Sequence, residues 1–138
     1  MNMNKIIIIL LSTLCLLSCK KSNHEFSENY NFKNQLGKTI SLKGKALDAK
    51  LGALLKGKSY SIWIDGLSRW PNGFYEGGDN GKMLIVTGTI IERYDLPVFI
   101  QNKGTTIKKS GIPQPVGTNL HQASHRFLLK NAQWKLLN

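Results

Sequence analysis

Cysteine is almost absent from this chain of 138 residues. The two cysteines are Cys15 and Cys19, so the segment that follows residue 19 contains none. This absence excludes a disulfide framework, a cysteine-ligated zinc site and a cysteine nucleophile from residues 20–138. The stability of any domain in this segment must therefore come from packing.

Acidic residues are also scarce, because eight Asp and Glu stand against 19 Lys and Arg, for a formal net charge of +11 at pH 7. The few carboxylates beyond residue 36 show none of the pairing that glycoside hydrolysis needs. A Gly-x-Ser-x-Gly nucleophile elbow is absent as well. The sequence therefore indicates a protein without catalytic activity, and no cofactor is expected. A domain this cationic attracts polyanions and anionic surfaces.

Long apolar runs are limited to residues 6–17, which follow Lys5. This run is too short for the ~20 residues of a membrane-spanning helix and is typical of a secretory signal. It ends in Leu16-Leu17-Ser18-Cys19, which resembles the lipobox of bacterial lipoproteins. The resemblance implies cleavage of residues 1–18 as a signal peptide and acylation of Cys19 on its sulfur and its new amino group. The alternative is an ordinary secretory signal that happens to contain a cysteine.

The residue after the lipobox cysteine is Lys20 rather than an acidic residue. By resemblance to lipoprotein sorting, this favours the outer membrane, with the protein facing the periplasm. The membrane is then one partner, through the N-terminal lipid. Nucleic acid is scarce in the envelope and is not expected as a partner, so the basic charge points to an envelope protein, an anionic glycan or anionic lipid head groups. The alternative is that the excess lysines are solvated surface.

Residues 19–36 are polar and rich in Asn and Ser, which is typical of a flexible tether. The alternative is that Phe26, Tyr30 and Phe32 fold back on the domain. The domain is expected over residues 37–138. Apolar residues alternate with polar ones in residues 40–46 and 60–65, as in strands that bury one face. Residues 83–86 are apolar throughout, which predicts a strand covered on both faces. One short helix is expected near residues 119–126, with Asn119 as its N-cap.

Several of these segments resemble a family of small OB-fold-like bacterial proteins for which we know of no established activity. The resemblance lies in residues 44–53, in residues 60–67 followed by Trp70-Pro71, and in the Val-x-Gly strand of residues 86–89. It implies an all-β domain, a small five-stranded OB-fold-like barrel with at most one short helix. Gly44, Gly52 and Gly88 fall inside strand-like runs, which predicts bulges or sharp bends there.

Two groups of side chains are candidates for a site. Exposed aromatic rings beside a cation can stack on sugars or bases or anchor a protein partner, and the candidate binding residues are Trp63, Arg69, Trp70 and Tyr75. The alternative is that these rings fill the ends of the barrel.

His121 and His125 would share one face of a helix, but a metal site would need a third ligand such as His24, Glu92 or Asp95. No metal site is expected, and a surface pair is the simpler interpretation.

The sequence thus predicts a lipid-anchored envelope binding module that holds a partner protein or an anionic envelope glycan near the membrane. A second hypothesis is an immunity or inhibitor lipoprotein that acts against a periplasmic hydrolase or toxin. A third is a metal-assisted enzyme that uses His121 and His125.

Overall fold

The structure is a computed structural model that describes residues 30–101, 104 and 110–138. The chain forms, in order, the 3-10 helix η1 (Phe32–Gln35) and the elements β1 (Thr39–Ala49), β2 (Gly52–Lys56), β3 (Ser61–Ile64), β4 (Met83–Tyr94), β5 (Val98–Ile100), β6 (Ile112–Gln114), α1 (Leu120–Ala123) and β7 (His125–Leu136).

Five of the strands close into a barrel in the order β1-β2-β3-β7-β4, with β4 paired again to β1. All neighbours in the barrel are antiparallel except β3 and β7, which are parallel. The short strands β5 and β6 form a separate parallel pair between β4 and α1 along the chain. The prediction of an all-β domain with a five-stranded OB-fold-like barrel and one short helix is confirmed.

The alternating pattern of the sequence produces the core. On β1 the residues Leu42, Gly44 and Ala46 point inward, while Leu84 and Val86 do the same on β4. The prediction that residues 83–86 are covered on both faces is wrong, because Met83 is 40% exposed. Only one face of β4 lies against the core, so the outer face of this strand is open to solvent at its first residue.

Of the glycines predicted to mark bulges or bends, Gly88 lies at a bulge, whereas Gly44 lies at a close approach of two strands. A Cβ atom on Gly44 would lie 2.7 Å from the carbonyl oxygen of Lys56, so only glycine allows β1 and β2 to approach this closely. Between Thr87 and Thr89 the pairing of β4 with β7 shifts by a bulge at Gly88. On the facing strand Asn131 adopts a left-handed backbone with φ of 54°.

The N-terminal boundary of the domain lies earlier than the expected residue 37. The ring of Phe32 is buried in the core, 5.6 Å from the ring of Phe127 and 5.7 Å from that of Tyr60, measured between centroids. Tyr30 packs on Phe32 at 4.8 Å. Burial of these rings outweighs the polar composition around them, and residues 30–36 therefore belong to the folded domain. Residues 19–29 of the expected tether lie outside the described residues.

Helix α1 is shorter than the sequence predicted. Asn119 is its N-cap, because the Asn119 Oδ1 accepts the backbone N–H of Gln122 at 3.1 Å. The helix ends at Ala123, and His125 already belongs to β7. Within the described ranges no helix is long and apolar enough to cross a membrane.

Candidate functional site

Trp70 belongs to the core and not to the surface. It is 3% exposed, and its indole Nε1–H donates to the carbonyl oxygen of Leu54 at 2.9 Å. Its backbone N–H donates to Asp48 Oδ1 at 2.8 Å, and its ring meets that of Trp134 edge-on at 5.2 Å. The ring of Trp70 therefore presents no face to a ligand, which agrees with the alternative that aromatic rings fill the barrel.

Trp63 lies on the outer face of β3, out of phase with the inward residues Ile62 and Ile64. The guanidinium of Arg126 covers its ring at 5.3 Å from the centroid. Arg126 also donates to both carboxylate oxygens of Asp95, at 2.6 and 2.9 Å. These hydrogen bonds hold the pKa of Asp95 below its ordinary value. One face of the Trp63 ring is thus already occupied by a residue of the same chain.

The other two predicted binding residues do not complete a surface. Arg69 is 80% exposed, with its Nε 3.9 Å from Asp48 Oδ2. Tyr75 is half-buried against the core and forms an isolated bridge with Gly81. With Trp70 inside the barrel, the four residues named from the sequence do not share one exposed surface.

The two histidines flank Tyr94 rather than a shared ligand position. The ring of His121 stacks on Tyr94 at 4.3 Å and 6°, and the ring of His125 lies 4.9 Å from Tyr94 on centroids. His125 Nε2 is 3.0 Å from Glu92 Oε2. Among the described residues there is no group of three metal-ligating side chains. His24 and the expected lipidation residue Cys19 lie outside the described residues.

The described surface contains a groove of about 580 Å³, here named the lysine groove. It lies on the outer face of the barrel, where β1 meets the hairpin of β2 and β3. Its principal side chains are Lys43, Lys45, Lys56, Lys58, Tyr60, Asp79 and Met83.

The register of three strands brings the lysines together. Lys45 of β1 lies opposite Met83 of β4 on one side and opposite Lys56 of β2 on the other. Side chains in such positions are about 4.5–5.5 Å apart at Cβ, and like charges directly opposite each other are destabilising. Lys43 lies on the same face of β1, two residues earlier, and Lys58 follows in the hairpin turn. Four ammonium groups therefore surround a single groove.

Tyr60 forms an apolar wall of this groove and fixes its shape. Its hydroxyl donates to the carbonyl oxygen of Lys43 at 2.6 Å, which ties the β2–β3 hairpin to β1. Its ring packs directly against Gly57, where a Cβ atom would not fit. Burial raises the pKa of Tyr60 to about 12, so the phenol stays neutral and keeps donating its proton even in alkaline solution near pH 10.

Charged residues are divided by type across the described surface. The three arginines of the chain, Arg69, Arg93 and Arg126, each lie within 4 Å of a carboxylate. No lysine forms an ion pair with a carboxylate among residues 30–101, 104 and 110–138, and Asp79 is the single carboxylate in the lining of the lysine groove. The excess positive charge of the domain is therefore carried by lysines, four of which meet at the groove.

This groove was not predicted from the sequence, although the sequence contains a pattern that indicates it. Lys43 and Lys45 form one Lys-x-Lys pair, and Lys56 and Lys58 form another. Each pair alone is typical of a solvated strand face. Their convergence depends on the register between β1 and β2, which alternation within each strand does not determine.

The chain matches no protein-family model, no curated protein and no solved structure. Its function must therefore be argued from the geometry of its own residues.

Proposed function

We propose that this protein is a lipid-anchored binding module of the cell envelope, without catalytic activity, that holds an anionic partner near the membrane. The observation that supports this proposal is the lysine groove, in which Lys45 and Lys56 lie directly opposite each other on paired strands. The partner is an envelope component that carries phosphate, carboxylate or sulfate groups.

The chemistry of the groove suits such a partner. An ammonium group is a compact point charge with three donors, and it binds phosphate and carboxylate through charge-assisted hydrogen bonds. The cross-strand pair of Lys45 and Lys56 costs on the order of 0.2–1 kcal/mol when no anion is present. An anion between the two side chains relieves this repulsion, while Tyr60 and Met83 supply apolar contact on either side.

The lipid anchor is the second part of the proposal. Acylation of Cys19 would leave ten residues, 20–29, between the lipid and Tyr30, the first residue of the described domain. Such a short connection keeps the lysine groove close to the bilayer. The partner is then a component of the membrane or of the adjacent envelope layer.

The test measures the binding of short-chain inorganic polyphosphate to the lipidated chain in neutral detergent micelles by calorimetry. A Lys45→Gln, Lys56→Gln double variant should bind about 30-fold more weakly, because each lost cation near a phosphate surface removes about 1 kcal/mol. The mass of the purified chain reports in the same preparation whether residues 1–18 are absent and Cys19 carries acyl chains.

The matched control is a Lys50→Gln, Lys130→Gln double variant, which loses the same charge at exposed positions outside the groove. It should bind polyphosphate almost as tightly as the original chain. Equal weakening by both double variants would mean that net charge alone attracts the probe, and the groove would then be rejected as the site.

A further inference from the structure

We propose that the lysine groove binds the phosphate groups of anionic lipids in the same bilayer that holds the Cys19 lipid. The domain then lies on the membrane with the groove facing the head groups. This inference rests on the proposed function, and it names the partner and the orientation of the domain.

The position at which the chain enters the domain supports this orientation. The ring of Tyr30 lies 5.6 Å from that of Tyr60, between centroids, and Tyr60 is a wall of the groove. From Cys19 to Tyr30 the backbone spans at most about 40 Å, even when fully extended. A lipid on Cys19 would therefore hold a point beside the groove within about 40 Å of the membrane. The β1–β2 turn with Lys50 lies at the far end of β2 from the groove.

Positive charge continues from the groove toward this entry point. Ser59 lines the lysine groove and also a second, shallower depression of about 460 Å³ that contains Tyr30 and the exposed Lys33. Three of the paired carboxylates bind arginines, namely Asp48, Asp65 and Asp95, whereas Glu92 lies 3.0 Å from His125, which also lines the second depression. Around the two depressions the lysines outnumber the carboxylates Asp79 and Glu92, so this face is complementary in charge to an anionic leaflet.

The apolar residues of the groove suit a lipid better than a fully hydrated polyanion. Met83 is a flexible apolar side chain that is 40% exposed at the rim. Tyr60 has an aromatic ring with a polar tip, a combination that is enriched at the level of lipid head groups. A head group offers phosphate to the lysines and glycerol and acyl carbons to these two side chains. An acidic protein would pair with the lysines but would leave the two apolar side chains without a partner. Binding to anionic vesicles distinguishes a lipid from such a protein.

The test compares the reactivity of lysines in the lipidated chain on two kinds of vesicle. One kind contains phosphatidylcholine alone, and the other also contains phosphatidylglycerol. A water-soluble amine-acylating reagent modifies the protein, and peptide mass spectrometry gives the rate at each lysine. The rates at Lys43, Lys45, Lys56 and Lys58 should fall about five-fold or more on the anionic vesicles. High salt should restore them, because the attraction is screened.

Lys50 is the internal control and should react equally on both kinds of vesicle. Equal rates at the groove lysines on both kinds, or the same slowing at Lys50, would overturn the inference. If polyphosphate still binds the groove in micelles while the vesicles give no protection, the proposed function stands and the partner is not a lipid. Loss of both effects would reject the groove as a binding site altogether.

Discussion

At the scale of single residues, two tryptophans show how strongly context decides the role of a side chain. Trp63 and Trp70 are seven positions apart; Trp63 stands between two isoleucines, whereas Trp70 stands between Arg69 and Pro71. Trp63 follows the outward phase of β3 and receives Arg126 on its ring. The side chain of Trp70 points into the barrel, where its indole N–H donates to the carbonyl oxygen of Leu54. A buried indole needs such an acceptor, which makes this hydrogen bond part of the stability of the core.

Replacement of Trp70 by Phe should therefore destabilise the domain by about 2–4 kcal/mol. The change leaves a void and removes the hydrogen bond from the indole Nε1–H to the carbonyl oxygen of Leu54. Each of these effects lowers the free energy of unfolding. Urea unfolding followed by circular dichroism measures the difference. Trp63→Phe is the matched control and should cost about 1 kcal/mol or less, since it only weakens a partly exposed cation–π contact. A Trp70→Phe variant as stable as the original chain would contradict this account.

At the scale of elements, β1 links the two halves of the barrel and positions the lysines. Its first part, residues 39–45, pairs with β4, while Lys45–Ala49 pair with β2. Lys45 is the one residue that takes part in both ladders, so its side chain has a neighbour on each side. The placement of Lys56 opposite Lys45 opposes the stability of the sheet. A binding role for the groove accounts for this local conflict.

A Lys56→Gln variant should thus be more stable than the original chain at low ionic strength. Removal of the repulsion with Lys45 is worth about 0.2–1 kcal/mol, which corresponds to a rise in Tm of roughly 1–6 °C for a domain of this size. Thermal unfolding monitored by circular dichroism gives the difference. Lys50→Gln should leave Tm unchanged, and high salt should reduce the gain from Lys56→Gln. A lower Tm for Lys56→Gln would show that its side chain stabilises the fold through packing.

The elements also show which features a sequence determines by itself. Alternation predicted β1 and β3, and the Asn119 cap was predicted from its residue type, because both signals are local. The exposure of Met83, the burial of Trp70 and the start of the domain at Tyr30 depend on which strand or ring lies opposite. Such contacts join positions far apart in the chain. For the same reason the candidate site shifted from the aromatic residues near Trp70 to lysines on two strands.

At the scale of the whole molecule, the closure of the barrel depends on an aromatic cluster as well as on strand pairing. The β2 ladder with β1 ends at the pair Lys45 and Lys56, and beyond it the Tyr60 hydroxyl reaches the carbonyl oxygen of Lys43. Tyr30 and Phe32 pack on Tyr60 and complete this side of the barrel. Burial in this cluster raises the pKa of Tyr60 to about 12 and also raises that of Tyr30.

This closure predicts a loss of stability in alkaline solution. The unfolded chain releases the Tyr60 proton near pH 10, whereas the folded chain keeps it up to about pH 12. The contribution of this group to the free energy of unfolding is complete below pH 10 and decreases between pH 10 and about 12. Urea unfolding across this range should show the decrease, and Tyr60→Phe should make it smaller. An identical decrease in both proteins would assign it to other groups.

The division of charge between arginines and lysines has a consequence for how this protein can change over evolution. Arg93 and Arg126 are committed to carboxylates within the chain, so their replacement disturbs contacts that the fold uses, whereas Arg69 is largely exposed. The groove lysines form no ion pair with a described carboxylate, and their replacement alters the surface while it leaves the core intact. We therefore expect the number and spacing of lysines to diverge readily among descendants of this chain. The barrel would persist unchanged while its preference among anions shifts.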